Sequence, residues 1–300
     1  MSSATSAFST EFCSLFASCY FEGMRRQLRH KTITDKFEPA NSQWQLSLPE
    51  RLIGFSGLGL FRFDFFATSM PNDLRFVDEN HPMVSRGHMA MPGTDMAIAK
   101  LRERHPQVAE LQASGIQCDE VSVHGICCMA VVETGALFYY RCPNNAVPGS
   151  AVWVLVKNYV DPTTIAQVPQ NLAALAPPSP SYDSYQAVVD EYEAQRAVGE
   201  AVRLNEFRMS FVSMMMEPFP PGITPKGLYV GFLERNGYEV EESYSDDSAS
   251  SSEQLFKVVA LVNHCPGLTA TFDQLGRLRR IEMLITGASY ARDGARESSA

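Results

Sequence analysis

The sequence predicts an α+β protein in which a mostly antiparallel sheet is closed by a long C-terminal amphipathic helix. Three observations carry this expectation. From Val121 onward, runs of β-branched and aromatic residues alternate with turn residues, as strands of a meander do. An apolar stripe at three- and four-residue spacing (Leu268, Phe272, Leu275, Leu278, Ile281, Leu284, Ile285) predicts a helix over 268–285. A similar stripe near the start (Phe8, Phe12, Leu15, Phe16, Cys19, Tyr20, Met24, Leu28) predicts an N-terminal helix over about 10–30.

Between these ends the elements follow in order. Residues 44–48 read as a short strand, and 52–66 as a strand bent by Gly54, Gly57 and Gly59. The order of those glycines does not fit a GxGxxG dinucleotide loop. A polar loop covers 71–83, and a helix follows Pro92, with Thr94 or Asp95 as its cap; Pro106 interrupts it or starts a second helix through Leu111 to Gly115. Residues 121–132, turn residue Gly135 and residues 136–141 predict a hairpin, with a third strand over 151–160. A Pro/Ala/Ser-rich excursion, 161–184, leads into a helix over 185–203. Strands are then expected at 207–216, 227–233, 238–243 and 256–263, with Arg235-Asn236-Gly237 as a hairpin turn. The resulting organisation is an N-terminal helix and loop (1–39), one domain (40–286) carrying an insert at 161–203, and a disordered tail (287–300).

Composition narrows the function classes. The net charge of −9 opposes general nucleic-acid binding, which needs dense Lys/Arg to release phosphate counterions. Seven cysteines without a CxxC pair read as reduced thiols rather than a disulfide framework. No apolar run approaches the ~20 residues that span a bilayer. The basic cluster Arg25, Arg26, Arg29 and Lys31 follows the first apolar face instead of preceding it, unlike a secretory signal. A cytoplasmic location is expected; the alternative is an organelle, with the N-terminus as a transit peptide.

Local strings resemble the START (StAR-related lipid-transfer) family of helix-grip proteins, notably its divergent oomycete- and protist-like members. Residues 87–101 (GHMAMPGTDMAIAKL) resemble a strand, small-residue turn and helix of that fold. Residues 217–229 (EPFPPGITPKGLY) resemble its proline-rich turn and the Lys-Gly step into a strand. The strings 237–242 (GYEVEE) and 256–264 (FKVVALVNH) resemble the next strand pair, and 265–267 (CPG) stands before the closing helix. Tyr229 occupies a place where many members carry Arg, and Asn263-His264-Cys265 replaces an acidic step. The resemblance implies a tunnel between sheet and final helix that encloses a lipid or other hydrophobic ligand.

Trp153, Phe211, Met214, Met216, Tyr229, Phe272 and Leu275 are the candidates to line such a cavity. An ordinary packed core is the plainer reading of each. Arg277, Arg279 and Arg280 are candidates for transient contact with a membrane surface, or else a solvated helix face. No catalytic residue, cofactor or metal is expected. On a strand, His124 and Cys128 would share a face that Cys127 leaves, and no third residue orients the histidine. His81 and His88 beside Asp78 and Glu79 lack a metal-ligand spacing. The second functional reading is a non-catalytic interaction or assembly subunit with a filled core.

Overall fold

A computed structural model describes residues 8–37, 44–56, 58–85, 96–144, 147–161, 164–165, 168–173, 186–187, 189–190, 200–215, 219–245 and 255–283. The chain is α+β and divides into two compact units, residues 1–192 and 193–300. The predicted insert, 161–203, spans that division, and most of it lies outside the described residues.

The first unit begins with α1 (Thr10–Phe37), continuing past the predicted end, and then β1 (Trp44–Ser47). The expected single strand over 52–66 is two strands, β2 (Leu52–Phe55) and β3 (Gly59–Met70), reversing at Gly59, whose φ of +113° is open to glycine. The predicted loop after it contains β4 (Asp73–Phe76) and the short α2 (Pro82–Ser85). Two short helices, α3 (Ala97–Arg104) and α4 (Ala109–Gln112), precede β5 (Gly115–Ile116). The residue at the N-cap of α3 is Met96, without a side-chain bond; Thr94 and Asp95 lie outside the described residues.

All strand pairs in this unit are antiparallel. The long strand β3 is central. It pairs with β2 over its first four residues, with β4 over its last four, and with β7 (Ala151–Val160) along its other side. Strand β6 (Phe138–Pro143) pairs with β7. Phe61, Phe63 and Phe65 of β3 join Phe55, Phe138, Val154 and Val156 in one buried apolar cluster. A short helix, α6 (Gln170–Ala173), buries Leu172 against Leu52, Leu60 and Val160.

The predicted strand over 121–132 is instead a helix, α5 (Glu120–Thr134). Its ends carry ordinary helix signals. Asp119 Oδ1 accepts a hydrogen bond from Ser122 N at 2.8 Å, and Gly135 closes the helix with φ +70°. Between these caps the helix is buried on every side from Gly125 to Glu133, so no polar face reveals its period.

Helix α1 packs tightly on α5. A Cβ on Gly125 would stand 2.1 Å from Phe16 Cζ, and one on Gly23 would stand 2.6 Å from the carbonyl oxygen of Cys128. Arg26 donates to the carbonyls of Val131 (3.3 Å) and Ala136 (2.9 Å), placing positive charge at the negative end of α5. Gln27 brackets the outer edge of β6: its Nε2 donates to Tyr139 O (2.9 Å) while its Oε1 accepts from Tyr139 N (3.0 Å). Gly125→Ala should therefore destabilise the first unit by about 2 kcal/mol, overpacking outweighing the better helix propensity of alanine. Phe16→Leu in the same chain should recover part of that loss in urea unfolding. Equal stability of Gly125→Ala and the parent would contradict the close crossing.

The second unit contains α7 (Glu200–Met214), α8 (Pro225–Arg235) and a four-stranded antiparallel sheet. The sheet comprises β8 (Glu239–Ser245), β9 (Leu255–Val262), β10 (Cys265–Phe272) and β11 (Leu278–Met283), ordered β11-β10-β9-β8. Three expectations are overturned here. Residues 207–214 are helical, with Leu204, Phe207 and Phe211 buried at three- and four-residue spacing. Residues 227–233 are helical because Thr224 Oγ1 accepts from Gly227 N at 3.1 Å and Pro225 takes the first turn. The Lys226-Gly227 step thus starts a helix, and Asn236-Gly237 ends it rather than turning a hairpin.

The closing helix over 268–285 is not formed: its described residues are β10, a turn and β11. Leu268, Ala270 and Phe272 alternate onto one buried face, a two-residue period hidden within the four-residue spacing of the leucines and phenylalanine. Asp273 then fixes the reversal, accepting from Leu275 N (2.9 Å) and Arg277 N (3.0 Å), and Gly276 supplies φ +72°. Leu284 and Ile285 lie outside the described residues. The predicted tail, 287–300, lies there too. Among the described residues, no helix is long and apolar enough to cross a membrane.

Candidate functional site

Three of the seven cavity candidates meet in the second unit. Phe211 of α7 lies edge-on to Tyr229 of α8 at 5.5 Å between ring centroids, and Tyr229 lies edge-on to Phe272 of β10 at 5.6 Å. Phe207 and Phe232 extend the group, stacked at 4.0 Å, with Phe207 also 5.5 Å from Phe211. Phe211, Tyr229 and Phe272 are fully buried. Tyr229 donates its hydroxyl hydrogen to Leu268 O at 3.3 Å, and burial raises its pKa, so it stays a neutral donor. These spacings are those of aromatic rings in direct contact. The rings lie between the two helices and the sheet.

The other candidates go elsewhere. Met214 is half-buried at the end of α7, and Met216 lies outside the described residues. Leu275 is 66% exposed at the tip of the β10–β11 turn. Trp153 belongs to the first unit, on β7.

Around Trp153 the first unit assembles a polar-aromatic cluster. The indole Nε1 donates to Ser69 Oγ at 2.8 Å, and the His124 ring meets the indole edge-on at 5.0 Å. His124 Nδ1 is 3.0 Å from the Tyr139 hydroxyl, and the Arg141 guanidinium lies 5.9 Å from the Trp153 centroid. Because α5 is a helix, Cys127 and Cys128 follow His124 by one turn, not on alternate faces of a strand. Burial, partly offset by a Tyr139 hydrogen bond, pushes the Cys128 thiol up to about 12, and burial raises Cys127 well above its ordinary value. Both remain protonated at neutral pH, the inert state of a buried thiol. Desolvation also lowers His124, although Glu120 opposes it. This arrangement locks a tryptophan in place and offers no activated nucleophile.

His81 is similarly engaged. Its Nδ1 accepts from Met83 N (3.3 Å), which places the proton on Nε2, 3.0 Å from Thr68 Oγ1. Asp78 pairs with Arg102 at 3.1 Å, and His88 lies outside the described residues. Among the described residues, no group of three or more His, Cys, Asp or Glu side chains is arranged to hold a metal ion.

Sequence reasoning missed one buried cluster. Glu133, at the end of α5, faces His105 Nε2 at 2.7 Å and accepts from Cys19 Sγ at 3.4 Å. Arg104 donates to its backbone carbonyl. Three separate segments are thereby tied together, and no local spacing links them in the sequence.

The three arginines sit in the β10–β11 turn and on β11, not on a helix. Arg277 Nε is 2.7 Å and Arg279 Nη2 3.1 Å from Asp273 Oδ2, while Arg280 pairs with Glu282. Burial alone would raise the Asp273 carboxyl. The N–H donors of Arg277 and Leu275 and the Arg277 guanidinium outweigh it and hold the pKa below its ordinary value. Comparisons of the chain with family models, curated proteins and solved structures find no match.

Proposed function

We propose that this chain is a non-catalytic interaction or assembly protein with filled cores. The observation that carries this reading is the contact packing of Phe211, Tyr229 and Phe272, the residues that a hydrophobic ligand would otherwise touch. Two further observations support it. The buried thiols beside His124 are held protonated, and the ring nitrogens of His81 are occupied by structural hydrogen bonds. All seven cysteines are free, most of them buried, which fits a reducing compartment.

The START-like reading, lipid binding with membrane-surface contact through Arg277, Arg279 and Arg280, requires these rings to separate and admit a ligand. Half-buried Met214 and Met215 at the end of α7 are the flexible side chains that favour it. Native mass spectrometry with solvent extraction separates the two readings. The purified chain should carry no hydrophobic molecule. A stoichiometric co-purified lipid would replace the interaction reading with ligand enclosure.

A further inference from the structure

We propose that a second copy of this chain docks along β11, edge to edge, in a two-fold antiparallel pairing centred on Ile281. The proposal rests on the interaction reading and names its partner. Among the described residues, β11 pairs only with β10, so its outer side is a sheet edge. Such an edge presents backbone donors and acceptors that a further strand can take up.

The sequence of β11 is complementary to itself in this one register. With Ile281 opposite its symmetry mate, Arg280 of each copy stands opposite Glu282 of the other. Two opposite-charge pairs directly across the ladder stabilise it, and two-fold symmetry supplies both from one match. The Arg280–Glu282 pair within each chain then becomes part of a ring of four alternating charges. The opposite edge, β8, has no such match with itself: its charged residues, Glu239, Glu241 and Glu242, are all acidic.

A second feature lies on the same side of the unit. Ile281 pairs with Ala270 and shares the helix-covered face of the sheet, whereas Glu282, opposite Thr269, points to the other face. Helix α7 packs against β10 and β11, and α8 against β8. Phe207, stacked on Phe232, marks the side of α7 that faces α8. At ~100° per residue, Val212 lies roughly 140° around α7 from Phe207, and Met209 roughly 160° in the opposite sense. Val212 therefore falls on the flank turned from α8 toward the β11 edge, with Met209 next to it on the outer surface. Both are apolar and exposed, at 45% and 58%. In the two-fold pairing, Val212 and Met209 of one copy approach those of the other above the Ile281 contact. Apolar contact thus lies on one face of the joined sheet and the charge ring on the other.

Sedimentation velocity on the full chain tests the proposal through charge exchange. The parent chain should form a closed dimer with rising concentration. Arg280→Glu puts acids at both positions, and Glu282→Arg puts bases at both. Each variant alone should dimerise roughly ten- to a hundredfold more weakly, because like charges then face each other. Mixing the two should restore a dimer containing one of each. The double variant R280E/E282R should dimerise like the parent, which also shows that these substitutions leave the fold intact. Single variants that dimerise as the parent does would overturn docking at β11 and leave the interaction reading standing. Open-ended growth with concentration would overturn the two-fold register. A parent chain that is monomeric at every concentration would overturn the proposal. If that monomer also carried a hydrophobic molecule, the interaction reading would fail with it.

Discussion

Phe211→Ala should cost the second unit about 3–5 kcal/mol, the range for deleting a large aromatic side chain from a close-packed interior. The physical reason is the geometry of its neighbours. Phe207 and Tyr229 both lie 5.5 Å from the Phe211 centroid, and Tyr229 is itself held by Phe272 and by its bond to Leu268 O. These rings cannot collapse into the vacated volume without breaking their own contacts, so most of the cavity remains. A side chain lining a ligand tunnel would behave differently, since its removal only enlarges a space that already exists. Urea unfolding followed by the signal of the second unit should therefore show a large drop in midpoint at unchanged slope. A loss below about 1 kcal/mol would argue that the rings do not form a filled core and would favour enclosure of a ligand.

Acid should unfold the first unit before the second. The ring of His30 stacks on Phe138 with centroids 3.3 Å apart, and burial, aided by the positive charge of Arg29, lowers its pKa from 6.5 to about 3. The unfolded chain therefore takes up a proton that the folded chain refuses. Stability from the neutral ring is full above pH 6.5, falls by about 1.4 kcal/mol per pH unit below it, and levels off near pH 3. Desolvation lowers His81 and His124 as well, so both add loss in the same direction below pH 6.5. In the second unit, Asp273 has the same sign of linkage but acts in a lower pH window. Its lowered pKa contributes stability above the ordinary value of 3.8, lost only as the pH falls further. His30→Phe keeps an aromatic ring over Phe138 without a titrating group. Its stability should decline less steeply between pH 6.5 and 3 than that of the parent. Parallel stability curves for the two would show that His30 is not the acid-sensitive contact.

The sequence made some elements legible and concealed others for identifiable reasons. The strand Ala151–Val160 and the start of α1 at Thr10 follow directly from alternation and from an amphipathic stripe. Helix α5 was hidden because burial on all sides removes the polar face by which a helical period is recognised. In α8 the cap and the proline were visible, but Leu228, Tyr229, Phe232 and Leu233 also read as a β-rich run. Spacings of four, as from Leu268 to Phe272, satisfy both periods, so the Asp273–Gly276 turn was the deciding signal. The aromatic group of the second unit was more legible than the elements that carry it. Large apolar side chains such as Phe211, Tyr229 and Phe272 seek the interior whichever backbone presents them. Contacts such as His105 with Glu133, or Gln27 with Tyr139, depend on segments brought together only by the completed fold.

The anchoring of α1 also sets an order of events during synthesis. Its partners lie far along the chain: Ser9 bonds Glu110 across 101 positions, Arg26 bonds Ala136 across 110, and Gln27 bonds Tyr139 across 112. At ribosomal rates of roughly 5–20 residues per second, the helix emerges several seconds or more before α5 and β6 exist to receive it. During that interval Phe12, Phe16 and Phe21, buried in the finished unit, have no interior to enter. Closing so long a loop comes late in folding. Among the described elements of the first unit, α1 is thus one that must wait for distant partners before its apolar face is covered.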